Sequence, residues 1–259
     1  MAIYAEVAGE GPELVLVHEG ICDSRMWDEQ WEPWSRSRRL LRVDLRGFGR
    51  TPLEPGPFSH ARDVIEAIEQ QGFGPTGLIG VSLGGRVALE VALARPELVS
   101  ALVLVAPGFP GHEWSEGLRA QWAAEEAAFE AGDLDGAVEV SMRTWVDGPG
   151  RSPDQVDPAV RARVAAMQRR AYELQAGIEE DEEELLVDDL PQRLGDVRVP
   201  TLVLAGVEDQ PDMLAIAERL AAEIPGARLA TIAATAHVPS MERPREFEAL
   251  VLPFLEETA

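Results

Sequence analysis

Seven short stretches of this chain read as strands: residues 2–7, 14–18, 40–44, 76–81, 101–106, 201–205 and 228–232. Most are unbroken runs of Val, Leu, Ile and Ala. A strand apolar on both faces has no side to offer to water, so it belongs in a parallel sheet covered by helices above and below. Helical patterns over 61–71, 84–95, 213–223 and 244–257 separate several of the runs. Strand and helix in alternation predict right-handed βαβ crossovers and a doubly wound, mostly parallel α/β sheet.

Between Pro107 and Pro200 the rhythm breaks. No good strand occurs there, only three helical patterns near 114–131, 134–146 and 158–176, bounded by Pro/Gly clusters at 107–111 and 148–150. This predicts a helical lid over 109–196, inserted into a core formed by 1–108 and 197–259. The acidic run at 179–184 reads as a solvated face or hinge on the way back. A chain of 259 residues with 46% hydrophobic content is large enough for one core and such an insertion.

At one strand-to-helix junction stands Gly80-Val81-Ser82-Leu83-Gly84. In that context the pentapeptide is a nucleophile elbow, a sharp turn presenting the serine above the sheet, with glycines where side chains would clash. A hydroxyl is a poor nucleophile until a base takes its proton and a third group orients that base. His237 follows the last strand run, and Asp209 follows the run at 201–205. Loops at the carboxyl ends of parallel strands are where such groups collect. The order Ser82, Asp209, His237 is the one that nucleophile-elbow enzymes use.

Taken together, these motifs resemble the α/β-hydrolases, in the branch of esterases, enol-lactonases and cofactor-free haloperoxidases. The likeness rests on Leu14-Val15-Leu16-Val17-His18, Asp44-Leu45-Arg46-Gly47-Phe48-Gly49, the Ser82 elbow, Gly206-x-x-Asp209 and His237-x-Pro239-x-x-Glu242-x-Pro244. It implies Ser82 as nucleophile, His237 as base and then acid, Asp209 as holder of the imidazole tautomer, and the inserted helices as the lid. An oxyanion hole is expected from the backbone N–H of Leu83 and, by analogy, of Gly20. Two positions depart from the pattern: Glu19 where the family has glycine after the histidine, and Ala236 where glycine usually precedes the catalytic histidine. A carboxylate beside an oxyanion hole repels the charge to be stabilised, so Glu19 is expected to point away.

Other polar residues have plainer readings. His18 is expected to brace the oxyanion loop, Cys22 to be a small buried filler, Asp44 and Arg46 to tie loops, and His60 to lie at the surface. In the lid, Trp122, Trp145, Met142 and His112 are candidates for substrate contact. Of Trp114, Trp122, Phe129, Met142, Trp145 and Met167 together, most read as packing between lid and core and a subset as the wall of an apolar pocket, while Arg119 and Arg143 read as surface residues.

Composition excludes several chemistries. All 23 basic residues are arginine, and neither lysine nor asparagine occurs. That removes Schiff bases, Ser–Lys dyads, P-loop lysines and N-glycosylation. Forty-six acidic residues give a net charge of −23, which disfavours nucleic acid and anionic membranes. Four scattered histidines and one cysteine give no metal spacing, and no cofactor is expected. The single cysteine, the absence of a signal-peptide layout and the lack of a run of roughly 18 apolar residues point to a cytoplasmic enzyme. Its oligomeric state stays open. The expected activity is hydrolysis of a carboxylic ester or lactone of a small, partly hydrophobic molecule through an acyl-enzyme. A receptor on the same fold, a perhydrolase and a C–C bond hydrolase stay open as alternatives.

Overall fold

A computed structural model describes residues 2–178 and 183–258. Its strands are β1 (Tyr4–Ala8), β2 (Glu13–Val17), β3 (Arg39–Asp44), β4 (Thr76–Val81), β5 (Val99–Val105), β6 (Thr201–Gly206) and β7 (Arg228–Ile232). They form one seven-stranded sheet in the order β1-β3-β2-β4-β5-β6-β7, with only β1 antiparallel. The central register runs straight across it: Val17 pairs with Gly80, Gly80 with Leu104, Leu104 with Val203 and Val203 with Leu229. Every residue of β4 and β6 is buried, as continuous apolar runs require, whereas β1 and β7 at the sheet edges are half-exposed.

The helices are α1 (Asp28–Ser35), α2 (His60–Gln70), α3 (Leu83–Ala94), α4 (Glu116–Glu130), α5 (Leu134–Ser141), α6 (Pro158–Gln175), α7 (Pro211–Glu223), α8 (Pro239–Glu242) and α9 (Pro244–Glu257). The expected alternation holds, and α4 to α6 fall between β5 and β6. Helix α1 has no clear sequence signal, because Pro33 interrupts it and only Gln30 and Trp34 are buried.

The second inserted helix departs from its expected span of 134–146. It ends as α-helix at Ser141 and continues as a wider π-helical turn over Met142–Asp147. Wide turns of this kind redirect backbone carbonyls, and they gather at functional sites. Of the acidic run, residues 179–182 lie outside the described residues. Glu183 is not part of a solvated face: it bridges to Phe58 and meets the Arg86 guanidinium at 2.6 Å.

Candidate active site

Ser82 joins β4 to α3 with φ 50° and ψ −111°. A non-glycine residue held there stores about 1–3 kcal/mol of strain, tolerated only where the surroundings enforce it. The enforcement is visible at Gly80, where an added Cβ would lie 2.0 Å from the carbonyl oxygen of Gly84. Strand and helix therefore close on each other without room for a side chain, and the serine is left at the carboxyl rim of the sheet.

His237 and Asp209 reach the same rim from the ends of β7 and β6. His237 Nδ1 lies 2.8 Å from Asp209 Oδ2, while Asp209 Oδ1 accepts the Gln210 N–H at 2.8 Å. Both side chains are buried. The two loops touch so closely that a Cβ on Gly206 would sit 2.0 Å from the Ala236 carbonyl oxygen. The π-turn completes the clamp: the Trp145 carbonyl accepts the His237 N–H at 3.2 Å, and the Thr144 carbonyl accepts from Gln210 Nε2 at 2.7 Å. The Trp145 ring lies 4.5 Å from the imidazole, centroid to centroid. Burial alone would lower the His237 pKa. The Asp209 charge and hydrogen bond, with Glu19 adding to them, outweigh it and raise the pKa.

On the other side of Ser82, β2 runs into His18-Glu19-Gly20. Leu45 N–H donates to His18 Nε2 at 2.9 Å, so the ring's proton is on Nδ1, donated to the Glu19 carbonyl at 2.7 Å. Burial lowers the His18 pKa and favours this neutral form. The braced loop lays Gly20 against Leu83: a Cβ on Gly20 would meet the Leu83 side chain at 3.7 Å. The Leu83 N–H, at the first position of α3, has no intrahelical acceptor. Among the described residues, the Gly20 N–H has no partner either.

Two cavities flank Leu83. One, of about 330 Å³, contains Ser82 and is walled by Phe109, Trp114, Trp122 and Trp145. The other, of about 470 Å³, begins at Gly20 and Leu83 and is the more polar of the two, with Glu125, Gln168 and Tyr172 set among Phe48, Phe58 and Phe129. Among the described residues no cluster of three or more His, Cys, Asp or Glu could hold a metal ion, and no helix is long and apolar enough to cross a membrane.

Residues 14–250 match the model of the alpha/beta hydrolase family. The chain belongs to that family. A relative from Nitrosomonas europaea, a pimeloyl-[acyl-carrier protein] methyl ester esterase, is 30% identical over 95% of this chain and 96% of its own. Among solved structures, a hydrolase from Pseudomonas aeruginosa is 28% identical with a TM-score of 0.79, covering 98% of this chain and 94% of that one. An N-acyl homoserine lactone degrading enzyme is 25% identical with a TM-score of 0.78, covering 97% and 96%. The family and these relatives mark the chain as an enzyme of the alpha/beta hydrolase kind.

Its residues fall where the motifs put them in some places and elsewhere in others. Ser82, Trp122 and Trp145 share one cavity. Met142 does not join them, because it is fully buried on the π-turn and packs into the core. His112 turns to Asp212 at 3.2 Å and meets the Trp114 ring edge-on rather than lining either cavity. His60 is buried, not at the surface: its ring lies 4.9 Å from Phe58, and burial pushes its pKa down to about 3. Glu19 does not point away. It is fully buried, with Oε2 3.6 Å from His237 Nε2. Only the glycine missing after His18 marked that position in the sequence. The polar cavity was not foreseen at all, since its lining comes from five separate segments of the chain.

Proposed function

We propose that this alpha/beta hydrolase cleaves a carboxylic ester or lactone of a small molecule through an acyl-enzyme formed on Ser82. The observation that carries this reading is a serine on a strained turn, facing an aromatic cavity, on the same rim as an imidazole oriented by a carboxylate at 2.8 Å. In the reaction, Ser82 Oγ attacks the carbonyl carbon as its proton passes to His237 Nε2. Asp209 holds the other ring proton and stabilises the imidazolium. The oxyanion develops against the Gly20 and Leu83 N–H groups, the second at a helix N-terminus where the dipole assists. The imidazolium then protonates the leaving alcohol, and water repeats the sequence on the acyl-enzyme. The inserted helices act as a lid over the substrate.

The two cavities support a substrate with two unlike arms. Trp114, Trp122 and Trp145 suit an apolar or aromatic arm. In the polar cavity, the buried Glu125 Oε2 and Gln168 Oε1 lack hydrogen-bond partners, which suits an arm bearing hydroxyl or N–H donors. A panel of p-nitrophenyl esters and lactones, with mass-spectrometric detection of a phosphonate adduct on Ser82, tests the reading. No turnover and no adduct would sink it. The Ser82 hydroxyl forms no hydrogen bond to His237, and that favours the receptor as a second reading. A receptor would show saturable binding, unchanged in Ser82→Ala, without turnover.

A further inference from the structure

Glu19 stands in the oxyanion loop with no exposure to solvent. Its Oε1 accepts from the Cys22 thiol at 3.0 Å, which fixes the plane of the carboxylate. Its Oε2 has no hydrogen-bond partner and lies 3.6 Å from His237 Nε2, the nitrogen that must receive the Ser82 proton. Asp209 already occupies the opposite nitrogen. Of the neighbouring acids, Glu242 is tied to Arg151 at 2.7 Å and to the Ala236 N–H at 2.8 Å. Among the described residues, the only cationic partner of Glu19 is this imidazole.

We propose that Glu19 is a positioning residue whose buried carboxylate, with Oε2 3.6 Å from His237 Nε2, pairs with the imidazolium and keeps the serine's base protonated until that proton is released. This inference rests on the serine-hydrolase reading above. With the proton in place, the group of Asp209, Glu19 and His237 carries one net negative charge. Releasing it to solvent leaves two negative charges in a dry site, so release is resisted. Burial also pushes the Glu19 pKa up to about 7. After release, the Nε2 lone pair faces a carboxylate oxygen, and the Ser82 hydroxyl is the donor that relieves the clash. Oγ then bonds to the carbonyl carbon as its proton moves to Nε2. The device closes the enzyme in acid and opens it in base.

The test compares pH profiles of kcat/KM, each normalised to its own plateau, for wild type and Glu19→Gln. The acidic limb should move to lower pH by about one unit in the variant, giving about tenfold higher relative activity on that limb. The rate at which a fluorophosphonate labels Ser82 should shift the same way without any substrate. Superimposed profiles, or a shift to higher pH, overturn the inference. If the glutamine variant fails to fold, Glu19→Gly carries the same comparison. Ring NMR of His237 in the wild type, distinguishable among only four histidines, reads the proton directly. Titration at or below the ordinary value of about 6.5 would overturn the proposal. Absence of both labelling and turnover would instead remove the serine-hydrolase reading, leaving the His237 titration to judge Glu19.

Discussion

The carboxyl rim of the sheet and the helices inserted over it are built on different physics. At the rim, β2, β4, β5 and β6 bury Leu16, Ile79, Val103 and Val203 completely, and glycines let backbone press on backbone. The inserted helices bury much less: in α4 only Leu118 is fully covered. They hold on partly through exposed ion pairs, such as Arg163 with Glu29 at 3.0 Å. Dry packing is intolerant and fixes atoms to fractions of an ångström, whereas exposed ion pairs contribute about 0–1 kcal/mol and yield readily. The contrast sets a rigid rim that carries Ser82, Asp209 and His237 against a more yielding set of helices that walls the cavity beside it.

That division can be broken at several points. The largest effect belongs to Ser82→Ala, which should lower turnover at least 10³-fold, roughly 4 kcal/mol, with the melting temperature almost unmoved. Substantial residual turnover in a well-folded variant would detach the chemistry from the rim. Next comes Gly80→Ala, where the new methyl meets the Gly84 carbonyl at 2.0 Å. Urea denaturation should register a loss of more than about 3 kcal/mol.

Glu19→Gln follows, and here the sign depends on pH. A glutamate ordinarily ionises near 4.5, but burial raises the folded Glu19 pKa to about 7, so the Glu19–His237 pair keeps a proton that the unfolded glutamate has already lost. Across that window the folded state binds more protons, so wild-type stability falls as pH rises through it. The variant should be about 2 kcal/mol more stable than wild type at pH 8. That gap should close toward pH 5, and calorimetry at the two values decides. In the inserted helices, Trp122→Ala should raise KM for aromatic esters about tenfold, near 1.4 kcal/mol, while leaving kcat close to wild type. A collapse of kcat instead would mean that these helices take part in the chemistry. The smallest effect is at Gly117, a helical position in α4 where an added Cβ meets nothing within 4 Å. Gly117→Ala should stabilise by roughly 0.5–1 kcal/mol in thermal melts.

Much of the rim was legible in the chain. Apolar runs such as Val99–Val105 announce buried parallel strands, and Gly206 with Asp209 three residues on marks a close turn bearing a carboxylate. The inserted helices were legible only as helices. Their period does not say which residue faces inward, so Met142 was expected toward substrate and instead packs into the core. His60 was read from its place after Ser59 at a helix start, but its environment comes from Phe58 and Phe48 folding round it.

By itself, the sequence determined the parallel α/β architecture, the serine turn and the candidate acid and histidine, because each follows from local periodicity or local backbone chemistry. Only the tertiary structure decided where Glu19 aims, which tryptophans reach Ser82 and where the polar cavity opens. Those depend on distances between segments far apart in the chain, such as Glu19 and His237, and no local pattern encodes a distance of that kind.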